Sequence, residues 1–111
     1  MRESMNLPVL WTPVALQSLS EVLDYTFNTF GGNQLVKLSE QIDATVERIA
    51  AFPFAGKEET DLTNQTGVKY HSFAVIKEIK LIYTISTEAV YVEYVKNNRQ
   101  DDATILVKIL S

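Results

Sequence analysis

Four side chains of this sequence could together act on a phosphate ester: Lys69, His71, Lys80 and Arg99. His71 is the only histidine, and an imidazole titrates near ~6.5, where it can take a proton from a hydroxyl nucleophile. Cations beside it would stabilise the charge that develops as the ester breaks. A wider set, Lys69, Lys77, Lys80, Tyr91 and Arg99, would suit an anion or an acidic partner. All lie between Gly67 and Gln100, where five cations stand against three anions. The first 66 residues hold four cations and nine anions, and the whole chain has a net charge of −4. A basic island in an acidic chain suggests a contact surface for something negative. The same lysines would equally suit a solvated sheet face, where they discourage edge pairing.

These residues need a scaffold, and the pattern predicts one. Val68 to Ile76, Ile79 to Ser86 and Ala89 to Lys96 are apolar, β-branched runs. Their connections are too short for crossover helices, so they predict an antiparallel meander. Alternation places His71 with Lys69, Phe73 and Val75. It also places Tyr91 on the opposite face from Tyr94. Tyr83 falls on the Ile79, Leu81, Ile85 face and reads as a core tyrosine with a satisfied hydroxyl. Upstream, Leu7 to Trp11 reads as a short strand, with Trp11 as a core anchor near the sheet edge. Thr12-Pro13 reads as an N-cap and first helical residue. Ala15, Leu19, Val22, Leu23, Phe27 and Phe30 follow at helical spacing, and Gly31-Gly32 ends that helix. Asn33 is the expected cap of a second helix, which buries Leu35, Leu38, Ile42, Val46, Ile49 and Phe52 and stops at Pro53. Phe54 to Gly67 reads as a loop, and its Glu58, Glu59 and Asp61 as solvated acids rather than a metal site. Asp101 is placed to cap a last short helix, Asp102 to Leu110. The order β-α-α-β-β-β-α predicts an α+β fold. An antiparallel sheet is covered on one face by a helical hairpin and left open or partly open on the other.

Bulk properties narrow the function. At 111 residues, 46% hydrophobic and 22% charged, the chain fits one globular domain, 1–111. With no cysteine, disulfides, thiolate metal sites and cysteine nucleophiles are excluded. No cofactor motif is present. No run reaches the ~18 apolar residues of a membrane span. The polar start, Met1 to Asn6, lacks the apolar core of a secretory leader, so a cytoplasmic protein is expected. The negative net charge argues against broad nucleic-acid binding.

Several segments, in this order, resemble the RelE/ParE superfamily of toxins from type II toxin–antitoxin, or plasmid-stabilisation, systems. They are Leu10-Trp11-Thr12-Pro13-Val14-Ala15, Ile49-Ala50-Ala51-Phe52-Pro53, Gly67-Val68-Lys69, Ile79-Lys80-Leu81-Ile82-Tyr83-Thr84-Ile85 and Val92 to Asp101. The resemblance spans roughly residues 8 to 104. It implies a bacterial toxin held inactive by a small cognate antitoxin. One branch, RelE-like, is a ribosome-dependent endoribonuclease acting on mRNA, for which Lys69, His71, Lys80 and Arg99 would be the catalytic candidates. The other, ParE-like, inhibits DNA gyrase and is not a nuclease. Lys69 stands where the family pattern has arginine, Asn97 where it has histidine and Gln100 where it has a second arginine. A lysine is a point charge, without the two-pronged phosphate contact of a guanidinium. These departures favour the ParE-like branch. The RelE-like interferase is the alternative, and a non-toxic binding module of the same fold a further one. The open sheet face and apolar helix sides are compatible with a homodimer.

Overall fold

Thr12 and Pro13 start the first helix as their types predict. The Thr12 hydroxyl accepts the Ala15 N–H at 3.0 Å, and proline occupies the first turn. In the computed structural model, which describes residues 5–111, the elements run β1 (Val9–Trp11), α1 (Pro13–Phe30), α2 (Gly32–Ala51), a 3-10 turn (Pro53–Ala55) and β2 (Lys57–Glu58). Then come α3 (Thr60–Thr66), β3 (His71–Ile76), β4 (Ile79–Ile85), β5 (Val90–Asn97) and α4 (Asp102–Leu110). Met1 to Ser4, most of the polar start, lie outside the described residues. The fold is α+β, and the expected order is present with two additions, β2 and α3. The expected loop from Phe54 to Gly67 is therefore ordered. Leu62 is its buried apolar anchor, and Gly67 ends α3 in the left-handed conformation at φ 75°.

The sheet order is β1-β5-β4-β3-β2. The meander is antiparallel, as expected, but β1 joins β5 in parallel, Val9 opposite Val90 and Trp11 opposite Val92. The two long helices between β1 and the meander supply the crossover that a parallel pair needs. Gly31 links those helices directly at φ 88°, a conformation open to glycine. No side chain caps α2, so Asn33 does not have the capping role predicted for it.

The hairpin covers one face of the sheet, where Ala15, Val22, Leu38, Ile42 and Ile49 meet Leu81, Tyr83, Val90, Val92 and Val95. The stripe that α1 buries is Ala15, Ser18, Val22 and Thr26. Phe27 and Phe30 fall off that stripe and are exposed, against expectation, as is Phe52 after α2. The other face is not open. Helices α3 and α4 cover it through Leu62 and Ile105, which pack on Tyr70, Ile82 and Tyr94.

A bulge at Glu93 sorts β5 between the two cores. Ile82 pairs with Tyr94, yet Tyr83 pairs with Val92. One extra residue resets the alternation. Val95 thus joins Val90 and Val92 under the hairpin. Tyr91 and Tyr94 share the other face, contrary to simple alternation. Tyr94 is sealed beneath α4, while Tyr91, beyond it, stays 38% exposed.

The second core predicts a cost. Ile105→Ala removes a fully buried side chain and should destabilise the protein by about 2–5 kcal/mol in urea unfolding. Val107→Ala, on the exposed side of the same helix, should change stability by about 0.5 kcal/mol or less.

Candidate functional site

The structure disperses the four candidate catalytic residues. His71, read from the sequence as a candidate base, is buried at 6% exposure. It lies on the hairpin face, opposite Tyr83 in register. Its ring stacks on Tyr83 at 5.7 Å and meets the edge of Phe54 at 6.1 Å. Its Nδ1 is buried without a hydrogen-bond partner. Burial first, and the Lys69 charge second, hold its pKa below the usual imidazole value, with Glu58 pulling the other way. Tyr83 is the core tyrosine expected. Its hydroxyl donates to the Pro53 carbonyl at 2.7 Å, and burial pushes its pKa up to about 12. Gly56 passes so close that a Cβ there would lie 2.6 Å from the Ser72 carbonyl oxygen and collide with the Tyr83 hydroxyl.

The lysines are spent on acids of the supposed loop. Lys80 lies on the opposite sheet face from His71. Its cross-strand neighbour is Lys96, an arrangement of like charges that destabilises a sheet. Each finds its own carboxylate: Lys80 binds Glu59 at 2.8 Å and Lys96 binds Asp102 at 3.4 Å. Glu59 also accepts the Ser72 hydroxyl at 2.6 Å. Burial opposes ionisation of Glu59, but the Lys80 and Ser72 hydrogen bonds outweigh it and hold its pKa below the usual carboxylate value. Glu59 is thus a half-buried structural anion and not a solvated one. Lys69 pairs with Glu58 at 3.6 Å, both side chains exposed, a contact of small energetic weight. No hydrogen bond or ion pair joins any two of Lys69, His71, Lys80 and Arg99 among the described residues. No cluster of metal-ligating side chains is present among them either.

Arg99 sits elsewhere, in the turn between β5 and α4. Its guanidinium lies 5.5 Å from the centre of the Tyr25 ring, and Tyr25 in turn meets Phe30 edge-on at 6.4 Å. The turn is tightly held. Asn97 Oδ1 accepts the Arg99 N–H at 2.9 Å. Asn98 Nδ2 donates to the Lys77 carbonyl, and Gln100 Nε2 donates to the Tyr94 hydroxyl at 2.8 Å. Beside it a groove of about 650 Å³ opens between the hairpin and the ends of β3, β4 and β5. Val22, Leu38, Ile79 and Val95 form its floor, and Tyr25, Phe30 and Arg99 stand at its rim. Of the anticipated contact surface, only Arg99 lines this groove. Lys77 lies in the adjoining β3–β4 turn, and Tyr91 is remote in register. The sequence signal for the groove was Phe30, just before Gly31, which the helical spacing assigned to the core.

His71 makes stability pH-dependent. Its folded pKa lies below the ~6.5 of an unfolded imidazole, so the unfolded chain binds the extra proton first. The stabilisation is full above pH ~6.5 and is lost as pH falls from there toward the folded value. Urea unfolding at pH 7.5 and 5.5 should show a loss of up to about 1.4 kcal/mol per pH unit below pH ~6.5. His71→Phe should flatten that interval.

With 12% identity and a TM-score of 0.66, the structure is similar to one solved under the description "Chromosomal ParDE TA system from P. aeruginosa". The match covers 85% of this chain and 98% of that one. Such a likeness establishes the fold. No curated protein sequence matches at a significant level. No helix among the described residues is long and apolar enough to cross a membrane. Residues 9–110 match the model of the ParE toxin of the type II toxin–antitoxin system parDE, and the chain belongs to that toxin family.

Proposed function

We propose that this chain poisons its target by protein contact, with DNA gyrase as the target, and that it does not cut RNA. The carrying observation is the dispersal of Lys69, His71, Lys80 and Arg99. A nuclease needs its base and its charge stabilisers converging on one reacting atom. Here the imidazole is in the core, two lysines are paired with acids, and the arginine sits on the Tyr25 ring. The apolar side chains left exposed on the hairpin, Phe27, Phe30 and Val36, support a role in protein–protein contact. A cognate antitoxin follows from membership of the family. A gyrase target and an antitoxin partner are consistent with a cytoplasmic site of action.

Two assays separate the readings. Purified toxin in excess should inhibit gyrase supercoiling, and toeprinting on translating ribosomes should show no added cuts in the A site. Intact supercoiling together with A-site cuts that disappear in Lys80→Ala/Arg99→Ala would reverse the assignment in favour of the interferase.

A further inference from the structure

A hairpin packed on a sheet needs only its inner stripes. Helix α1 buries Ala15, Ser18, Val22 and Thr26, and α2 buries Leu38, Ile42, Thr45 and Ile49. The outer stripes are free of that duty, yet they are not a neutral solvated face. On α2, Val36, Glu40, Asp43 and Glu47 recur at helical spacing on the side opposite the buried stripe. On α1, Asp24 and Phe27 stand one turn apart on the outward side. All six are exposed, Phe27 at 54% and Val36 at 56%. Phe27 and Val36 flank the Gly31 bend, so the face has an apolar tip and an acidic body.

The acids of this face are not spent on the sheet. Those that meet the sheet lysines are Glu58, Glu59 and Asp102, all downstream of the hairpin. Asp24, Glu40, Asp43 and Glu47 form no ion pair among the described residues, and α1 holds no cation. Glu40 with Asp43, and Asp43 with Glu47, are like-charge neighbours on one side of α2, which weakens a helix. Lys37 and Arg48 are also exposed on α2, but off that stripe. None of the six outward residues lines the groove beside Arg99. The face is therefore a separate surface, with a charge that the rest of the molecule leaves unmatched.

Resting on the gyrase reading above, we propose that this outer face is where the toxin grips its target, and that the target offers it a basic, amphipathic segment. The charge pattern selects this occupant. A second copy of the chain would set acid against acid. A nucleic acid would bring phosphates, and an anionic lipid surface would be repelled in the same way. A basic protein segment meets the acid stripe with opposite charge and covers the tip with an apolar residue. The stripe from Val36 to Glu47 is roughly 16 Å long, so a segment of about three helical turns spans it. Phe27 is the anchor, and the acids set partner choice and speed the encounter.

The test compares the parent chain with Glu40→Lys/Asp43→Lys/Glu47→Lys, with Phe27→Ala and, as control, with Lys37→Gln/Arg48→Gln. All these positions are exposed, so each variant should unfold at about the urea concentration of the parent. Should the charge reversal unfold the chain, Glu40→Gln/Asp43→Asn/Glu47→Gln carries the same comparison with a smaller effect. Two readouts are taken: growth arrest on induction, and binding of purified gyrase at low and at physiological ionic strength. Charge reversal and Phe27→Ala should each relieve the arrest and weaken gyrase binding at least about tenfold. Salt should weaken binding by the parent and not by the reversed variant. The control should arrest growth and bind at least as well as the parent. Folded reversed and Phe27 variants that arrest growth like the parent would overturn the proposal, whatever gyrase does. Gyrase binding by the parent that is indifferent to salt would overturn it too. Growth arrest without gyrase binding, relieved by the charge reversal, sinks the gyrase target and keeps this face as the contact to another one. A chain that arrests no growth sinks both.

Discussion

The bulge at Glu93 is the constraint on which the other contacts depend. Strand β5 pairs with β1 on one side and β4 on the other, and it must feed two cores. Without the extra residue, Val95 would turn toward α4 and Tyr94 toward the hairpin, which would put an aromatic ring against the small stripe of α1. With it, Val90, Val92 and Val95 all meet the hairpin, and Tyr94 meets Ile105. The bulge is held from both sides. Thr84 Oγ1 donates to the Glu93 carboxylate at 2.8 Å, and Ser18 takes the next free N–H of the strand, that of Val95. Thr12 caps α1 and reaches toward the Glu93 carbonyl at 3.5 Å. One irregularity thereby fixes where α1 lies, how the second face closes and where the groove opens.

Electrostatics completes the second face. Lys80 and Lys96 face each other across β4 and β5, which by itself opposes pairing. Glu59, just before α3, and Asp102, in the first turn of α4, resolve the conflict. Both helices are short, seven and nine residues, too short to be stable alone in water. Their ion pairs and their buried Leu62 and Ile105 hold them to the sheet together. The basic island of the sequence is thus mainly the inner half of a charge-matched interface within one molecule.

The fold was legible where local chemistry decides it. Thr12-Pro13 and Asp101 announce helix starts by cap type, and both accept the N–H three residues on. The alternating runs announce the three meander strands to within a few residues. What stayed hidden depends on pairing at long range. The parallel placement of β1 leaves no mark on a three-residue strand. The bulge at Glu93 has no glycine to signal it. Leu62 alone gives α3 its anchor, too little for a periodic pattern. Residue types identified the cations correctly, but composition counts charge and does not see partners, so Lys69 and Lys80 looked available. His71 was read as accessible because its neighbours in sequence, Tyr70 and Ser72, could not reveal that Phe54 and Tyr83 enclose it.

The same physics explains how a fold persists while its chemistry is rebuilt. Capping by Thr12 and the hydroxyl of Ser18 under β5 act through atoms that many sequences can supply, and a TM-score of 0.66 at 12% identity is the expected consequence. A catalytic centre has no such tolerance, since its groups must converge to within hydrogen-bond reach of one substrate. In this chain the imidazole that could serve as a base has been absorbed into the core. It lies between two aromatic rings, with an unpartnered Nδ1 that favours its neutral form. Through that burial the histidine ties the stability of the fold to pH. With His71 in the core and Lys69, Lys80 and Lys96 in ion pairs, the hairpin side of the molecule presents the exposed rings of Tyr25, Phe27 and Phe30 beside the Arg99 guanidinium.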